Sequence, residues 1–241
     1  MIIDFHAHIL PRADHGSDCS ATTMAQLLLI KQSGTEAVVA TPHFYPNRDR
    51  VEDFLDHRDG SIDAMLRKLP MADFPPVFPA AEVLVCQNID EMEHLEKLTI
   101  AGTNVILLEM PFGRWKESLM EAVLRVRKRG LVPVLAHIDR YHSADVRVLL
   151  EQGIAAQLNA SVFRPFGGAK AYLPLIENGS VVAFGSDLHG AEKKSYQPFL
   201  RLQKKLGSTA TAVFARSEAL LKGAVPIYTP DSQKSKEKHP V

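Results

Sequence analysis

An α/β fold built on parallel strands is what this sequence predicts, and three observations predict it. Seven short, strand-like runs alternate with longer amphipathic segments, the pattern of strands joined by crossover helices. Several of the runs are almost wholly apolar, as strands buried on both faces must be. Polar and titratable residues recur at the C-terminal end of nearly every run, and in a closed β/α barrel that rim is where sites are built. The competing architecture, an open doubly wound sheet, usually carries a glycine-rich phosphate loop after an early strand. Neither GxGxxG nor GxxxxGKS/T occurs, so a closed barrel is the expected form.

The first strand is expected over Ile2–His8, reading IIDFHAH, followed by strands at Ala37–Thr41, Val77–Val83, Asn104–Met110, Val132–Ile138, Ala155–Ala160 and Val181–Ser186. Between them, apolar residues return at helical spacing over Thr22–Ser33, Glu52–Leu69, Asp90–Leu98, Glu117–Arg129, Ala144–Gln152 and Ala169–Asn178. Two further helices are expected over Gln197–Leu206 and Thr209–Lys222. Gly34, Gly130, Gly153 and Gly179 close four of these segments, since glycine takes the left-handed conformation that ends a helix. Ser20 and Ser143 are the expected N-caps.

The 241 residues, 46% of them hydrophobic, suit one domain with a sizeable core. That domain is expected over residues 1–228, with the polar segment 229–241 as a disordered tail. A formal net charge of zero argues against a nucleic-acid or membrane-surface partner. No apolar run approaches the ~20 residues of a membrane helix, and no leader pattern opens the chain. Cys19 and Cys86 form neither a CxxC pair nor a disulfide framework, which fits a reducing, cytoplasmic setting.

The strand ends, read in order, carry the chemistry. Strand one ends in His6 and His8, two residues apart and so on one side of the strand; Asp14 and His15 follow in the next loop. Later strand ends bring His43, Glu82, Glu109, His137, Asn159, and finally Asp187 with His189. Any one of these reads on its own as a hydrogen-bonded loop residue, an ion-pair partner or a turn cap. Together they would bury several charges on one rim, at a cost of several kcal/mol each, unless cations are held there. Imidazole and carboxylate without thiolate suits Zn, Mn, Fe, Co or Ni, with Mn, Fe and Zn foremost. Six or more ligands exceed the needs of one ion and imply two or three, an arrangement suited to phosphate ester hydrolysis. Arg140, three residues past His137, has the planar fork that grips phosphate. Lys193 and Lys194 either add positive charge at the mouth or start a solvated helix. A cysteine-nucleophile phosphatase needs arginine six residues after its cysteine, but Ala25 and Met92 stand there. Neither GxSxG nor HExxH is present.

The segments DFHAH, ATPH, AAEV, LLEMP, AHIDRY and GSDLH, in that order, resemble the polymerase-and-histidinol-phosphatase (PHP) superfamily over roughly residues 1 to 225. HILPRADHG and AHIDRY resemble most the bacterial manganese-dependent protein tyrosine phosphatases of capsule and exopolysaccharide operons. The resemblance implies a distorted (β/α)7 barrel with a trinuclear site. By it, His6, His8, Glu82 and Asp187 hold one ion, and Glu82, Glu109 and His137 a second, with Glu82 bridging. His43, His189 and one of Asp14 or His15 hold the third, and Arg140 binds phosphate. The subgroup usually reads DDG where this chain has Asp14-His15-Gly16; spacing from His8 favours His15 as ligand, with Asp14 the alternative. The subgroup also often has an arginine where Lys193-Lys194 stands, and lysine lacks its bidentate fork. The expected activity is metal-dependent hydrolysis of phosphotyrosine by a metal-activated hydroxide, Mn first with Fe or Zn as alternatives. The implied substrate is a bacterial tyrosine kinase of polysaccharide export. A small-molecule phosphoesterase such as a histidinol-phosphate phosphatase is the alternative, and a non-enzymatic metal-binding scaffold a third.

Overall fold

The computed structural model describes residues 1–68 and 74–227; the proposed tail at 229–241 and the end of the helix expected through Leu69 lie outside the described residues. The strands are β1 (Ile3–Ala7), β2 (Ala37–Ala40), β3 (His43–Phe44), β4 (Val77–Pro79), β5 (Glu82–Leu84), β6 (Val105–Glu109), β7 (Val132–Leu135), β8 (Ala155–Asn159) and β9 (Val181–Gly185). The helices are α1 (Ser20–Gln32), α2 (Val51–Lys68), α3 (Glu117–Lys128), α4 (Ser143–Glu151), α5 (Leu173–Glu177), α6 (Lys193–Leu206) and α7 (Ser208–Leu220). All ladders are parallel, in two sheets ordered β1-β2-β4 and β3-β5-β6-β7-β8-β9. The α/β class with parallel strands is as expected.

Strand alternation sorts the apolar residues into two layers. Val105 and Leu107 of β6 join Ile3, Phe5, Ala37, Val39, Val134 and Ala183 in an inner cluster drawn from both sheets. Their neighbours Ile106 and Leu108 face outward, in a cluster that includes Leu27 and Ile30 of α1, Val123 and Val126 of α3, and Val213 of α7. The outer edges β1 and β9 meet through a parallel bridge between Ala7 and Leu188. Around it the Asp187 amide donates to the His6 carbonyl at 2.8 Å and the His8 amide to the Leu188 carbonyl at 3.1 Å.

Four local expectations need correction. The run Val77–Val83 is two strands in different sheets, β4 and β5, broken at Ala80 and Ala81. The pair β3 was not foreseen, because two residues are too few to set a period. Asp90–Leu98 forms 3₁₀ turns at Ile89–Glu91 and Leu95–Leu98 rather than a helix, with His94 between them at φ 59°. Ser20 and Ser143 lie inside the first turns of their helices, and the caps are Cys19 and His142, neither with a side-chain capping bond. The closing glycines behave as expected: Gly34, Gly130, Gly153 and Gly179 have φ between 76° and 89°.

Candidate metal centre

The strand ends converge on one buried point. His6 and His8 are fully buried, and their Nε2 atoms lie 3.0 Å apart. Glu82, at the start of β5, sits among the imidazoles. Its Oε2 is 3.0 Å from His43 Nδ1, 3.2 Å from His6 Nε2 and 3.3 Å from His8 Nε2, and its Oε1 is 2.6 Å from His137 Nε2. Glu109, ending β6, faces the same groups at 3.7 Å from His137 and 3.9 Å from His43. Asp187, just past β9, points Oδ1 at His189 Nδ1 (3.4 Å), His8 Nε2 (3.5 Å) and His6 Nε2 (3.7 Å). Ligand atoms within 4.8 Å of one another occur in four overlapping triads: His8-His43-His189, His6-His8-Asp187, His6-Glu82-His137 and His43-Glu82-Glu109.

The geometry of unmet bonding fits a bound cation. Buried polar groups are normally hydrogen-bonded. Among the described residues, however, His43 Nδ1, Glu82 Oε2, His137 Nδ1 and His189 Nε2 are buried without a hydrogen-bond partner. Two candidate ligands sit on strained backbone, His137 at φ 31° and Asp187 at φ 52°. Such conformations cost of order 1–3 kcal/mol each and persist where the surroundings impose them.

Electrostatics point the same way. Burial works to raise the Glu82 carboxyl, but the charge of His6, the hydrogen bond of His137 and the close imidazole of His43 outweigh it and hold Glu82 well below the usual carboxylate range. Burial likewise opposes protonation of His8, yet Asp14, Asp187 and Glu82 raise it well above an ordinary imidazole. His6 is raised too, as the charges of Glu82 and Asp187 overcome its burial. Burial and the neighbouring His8 push His189 down to about 4. Protons on imidazoles thus balance the carboxylates here, a role divalent cations would take over.

A layer behind these residues fixes their rings. Asp14 Oδ2 accepts from His8 Nδ1 at 2.6 Å and from the His43 amide at 3.1 Å, while its Oδ1 accepts from the Gly16 amide at 2.8 Å. Gln157 Oε1 lies 3.1 Å from His6 Nδ1 and accepts from the His137 amide at 2.6 Å. Its Nε2 donates to Asn159 Oδ1, and Asn159 Nδ2 to Asp187 Oδ2, at 3.0 and 3.2 Å. Each of these bonds leaves the opposite atom of His6, His8 or Asp187 facing the centre, the usual second layer of a metal site. Gln26 of α1 donates to the carbonyls of His8 and Gly16, both at 3.1 Å. Gly16 has no room for a side chain, because a Cβ there would lie 2.1 Å from His8 Cβ.

The family model for capsular polysaccharide synthesis, CpsB/CapC, matches residues 2–218. The chain belongs to the CpsB/CapC family. Similar chains include the tyrosine-protein phosphatase YwqE of Bacillus subtilis (strain 168), 25% identical over 235 residues, covering 91% of each chain. Another is the tyrosine-protein phosphatase CpsB of Streptococcus pneumoniae, 25% identical over 232 residues, covering 86% of this chain and 92% of that one. A solved structure from work on YwqE and CpsB, described as metal-dependent tyrosine phosphatases, superposes with a TM-score of 0.74 at 23% identity, covering 95% of this chain and 98% of that one. That structure shares the fold of this CpsB/CapC chain.

Of the residues singled out in this CpsB/CapC sequence, His6, His8, His43, Glu82, Glu109, His137, Asp187 and His189 meet as described. The His15 ring stacks 4.5 Å from His189 and 5.0 Å from His43, at the edge of the cluster. Both Asp14 oxygens are already engaged. Arg140 reaches Asp187 Oδ2 through Nη2. Lys194 is exposed and paired with Glu192 at 2.9 Å, and the Lys193 side chain lies outside the description. Cys19 and Cys86 are free and half-buried. Gln157 and Gln26 were missed, since a glutamine in a strand or helix carries no spacing signal.

Proposed function

We propose that this CpsB/CapC chain is a metal-dependent protein tyrosine phosphatase. The observation that carries the reading is the convergence of five imidazoles and three carboxylates, with four buried polar atoms left unpartnered, on one strand-end rim. His6, His8, Glu82 and Asp187 would hold one ion, and Glu82, Glu109 and His137 a second. His43, His189 and His15 would hold a third, with Asp14 orienting His8 rather than ligating. Divalent ions, Mn foremost with Fe or Zn as alternatives, supply Lewis acidity and lower the pKa of water. Arg140, whose side chain is 37% exposed and held at one nitrogen by Asp187, presents the rest of its fork to phosphate oxygens. The tyrosine leaving group departs through the open side of the rim.

The same reading takes the strands as a distorted (β/α)7 barrel, supported by the Ala7–Leu188 bridge and the inner cluster drawn from both sheets. It places residues 1–228 in one catalytic domain working in the cytoplasm. No helix among the described residues is long and apolar enough to cross a membrane. The substrate proposed is a phosphorylated tyrosine kinase of capsule or exopolysaccharide synthesis, the setting the family description names. The test is phosphate release from a phosphotyrosine peptide by metal-analysed protein, with histidinol phosphate in parallel and His6→Ala as control. Peptide hydrolysis that needs metal and vanishes in the variant is expected; turnover of histidinol phosphate alone overturns the tyrosine specificity.

A further inference from the structure

A hollow of about 450 Å³ opens directly beside the metal-ligand cluster, sharing His15 and His43 as walls. Its floor is Tyr45, two residues beyond His43. The Tyr45 ring stacks on the His43 imidazole at 5.4 Å with 21° between planes, and the Arg48 guanidinium lies over the same ring at 5.1 Å. The loop that carries them is fixed. The Tyr45 carbonyl accepts from the amides of Arg48 and Asp49, both at 2.9 Å, and the Tyr45 amide donates to Asp49 Oδ2 at 3.0 Å. Arg48 is exposed and, among the described residues, forms no ion pair.

We infer that this hollow is an aryl-recognition subsite, in which Tyr45 and Arg48 receive the ring of a phosphorylated tyrosine whose phosphate lies on the His43 side. The inference rests on the phosphatase reading and adds the residues that choose its substrate class. The volume is that of a small-molecule subsite. The planar Arg48 guanidinium held over the Tyr45 ring offers a further ring a cation to stack on and the Tyr45 edge to pack against, and an aliphatic phosphate monoester has no π-system to use either. Orientation follows from charge. Asp49 and Asp53 line the hollow and repel a phosphate, whereas His15 and His43 belong to the cluster proposed to hold cations and the Asp14 carboxylate beside them is bonded to His8 and to the Gly16 and His43 amides, so the phosphate end is directed to the histidine side. The loop is already ordered, so little freedom is lost when the ring enters.

The test uses the metal-loaded full chain and two non-hydrolysable probes, phenylphosphonate and methylphosphonate, with binding measured by calorimetry for wild type, Tyr45→Leu, Tyr45→Phe and Arg48→Ala. Phosphotyrosine and phosphoserine peptides of one sequence are assayed in parallel. The ratio of phenyl to methyl affinity is expected to fall about three- to tenfold in Tyr45→Leu and Arg48→Ala, with Tyr45→Phe retaining it, and KM for the phosphotyrosine peptide to rise by a similar factor. A ratio unchanged in both variants, or no phenyl preference in wild type, overturns the inference. Wild-type turnover of phosphotyrosine with an unchanged ratio defeats this inference alone. Preferential phenyl binding without turnover defeats the phosphatase reading and leaves the subsite standing.

Discussion

Replacing Asp14 by asparagine tests whether this carboxylate orients a ligand or is one. Oδ2 accepts a 2.6 Å bond from His8 Nδ1, so when a cation displaces the second ring proton the remaining one stays on Nδ1 and Nε2, which faces Glu82 and Asp187, is left to ligate. An asparagine amide turned toward His8 would donate instead, drive the imidazole proton onto Nε2 and cap the ligating atom. Turned the other way, its NH2 would oppose the Gly16 amide, which now donates to Oδ1 at 2.8 Å. The second orientation loses one bond to a charged acceptor, about 1.5–3 kcal/mol, and the first also loses the His43 amide that donates to Oδ2. Losing a second-layer partner typically costs ~10–100-fold in metal affinity, or about 1.4–2.8 kcal/mol, so the two estimates agree. Calorimetric titration of Mn into chelator-stripped Asp14→Asn, with a thermal melt to verify folding, reads the change. Wild-type affinity and stoichiometry would refute the orienting role, and complete loss of one ion with the others unchanged would make Asp14 itself a ligand.

Gly185→Ala is expected to weaken both fold and site, because a Cβ there would lie 2.6 Å from His6 Cβ and from Gln157 Nε2; overpacking of this kind costs about 1–3 kcal/mol, readable by urea denaturation. Metal binding is expected to release protons at pH 7, since the metal-free protein holds His6 and His8 protonated above their ordinary 6.5 whereas ligation needs them neutral. Affinity therefore rises with pH across that range, by up to about tenfold per unit for each proton displaced; His189, pushed down to about 4, adds none. Calorimetry in two buffers of different ionisation enthalpy counts those protons, and a count of zero contradicts the reading. Chelation is expected to lower the melting temperature, and Mn at one hundred times its Kd to restore about 2.7 kcal/mol, roughly 5–10 °C for a chain of this size.

Much of the centre was legible because its ligands occupy strand ends, where a short apolar run stops at a titratable residue. Strands buried on both faces announce themselves by composition, and their ends by the first charge. β3 carried no such signal, and neither did the break at Ala80–Ala81, because both are settled by which neighbour a two- or three-residue strand pairs with. The helix expected over Asp90–Leu98 failed for a related reason. Its Leu95 and Leu98 are fully buried, as is Ile89 just before it, but the left-handed backbone at His94 divides the segment into two turns. Spacing from His8 favours His15 over Asp14 but does not show what Asp14 does; the bonds to His8, His43 and Gly16 are what support the orienting role proposed for it. Asp4 shows the same limit. It shares the even positions of β1 with His6, yet a register shift between Asp4 and Ala7 turns its carboxylate to the Tyr196 hydroxyl of α6, 2.9 Å away.

The bridge between Ala7 and Leu188 has a bearing on how the protein is made. The candidate ligands run from His6 to His189 along the chain, so synthesis delivers the first of them long before the last. Until that last segment emerges, β1 lacks its β9 neighbour, and the two triads that include Asp187 or His189 are incomplete. A cation held by His6, His8 and Asp187 together would rivet the first strand to the last across the place where the backbone ladder is thinnest. Its loading would then separate chains in which β9 has docked beside β1 from chains in which it has not.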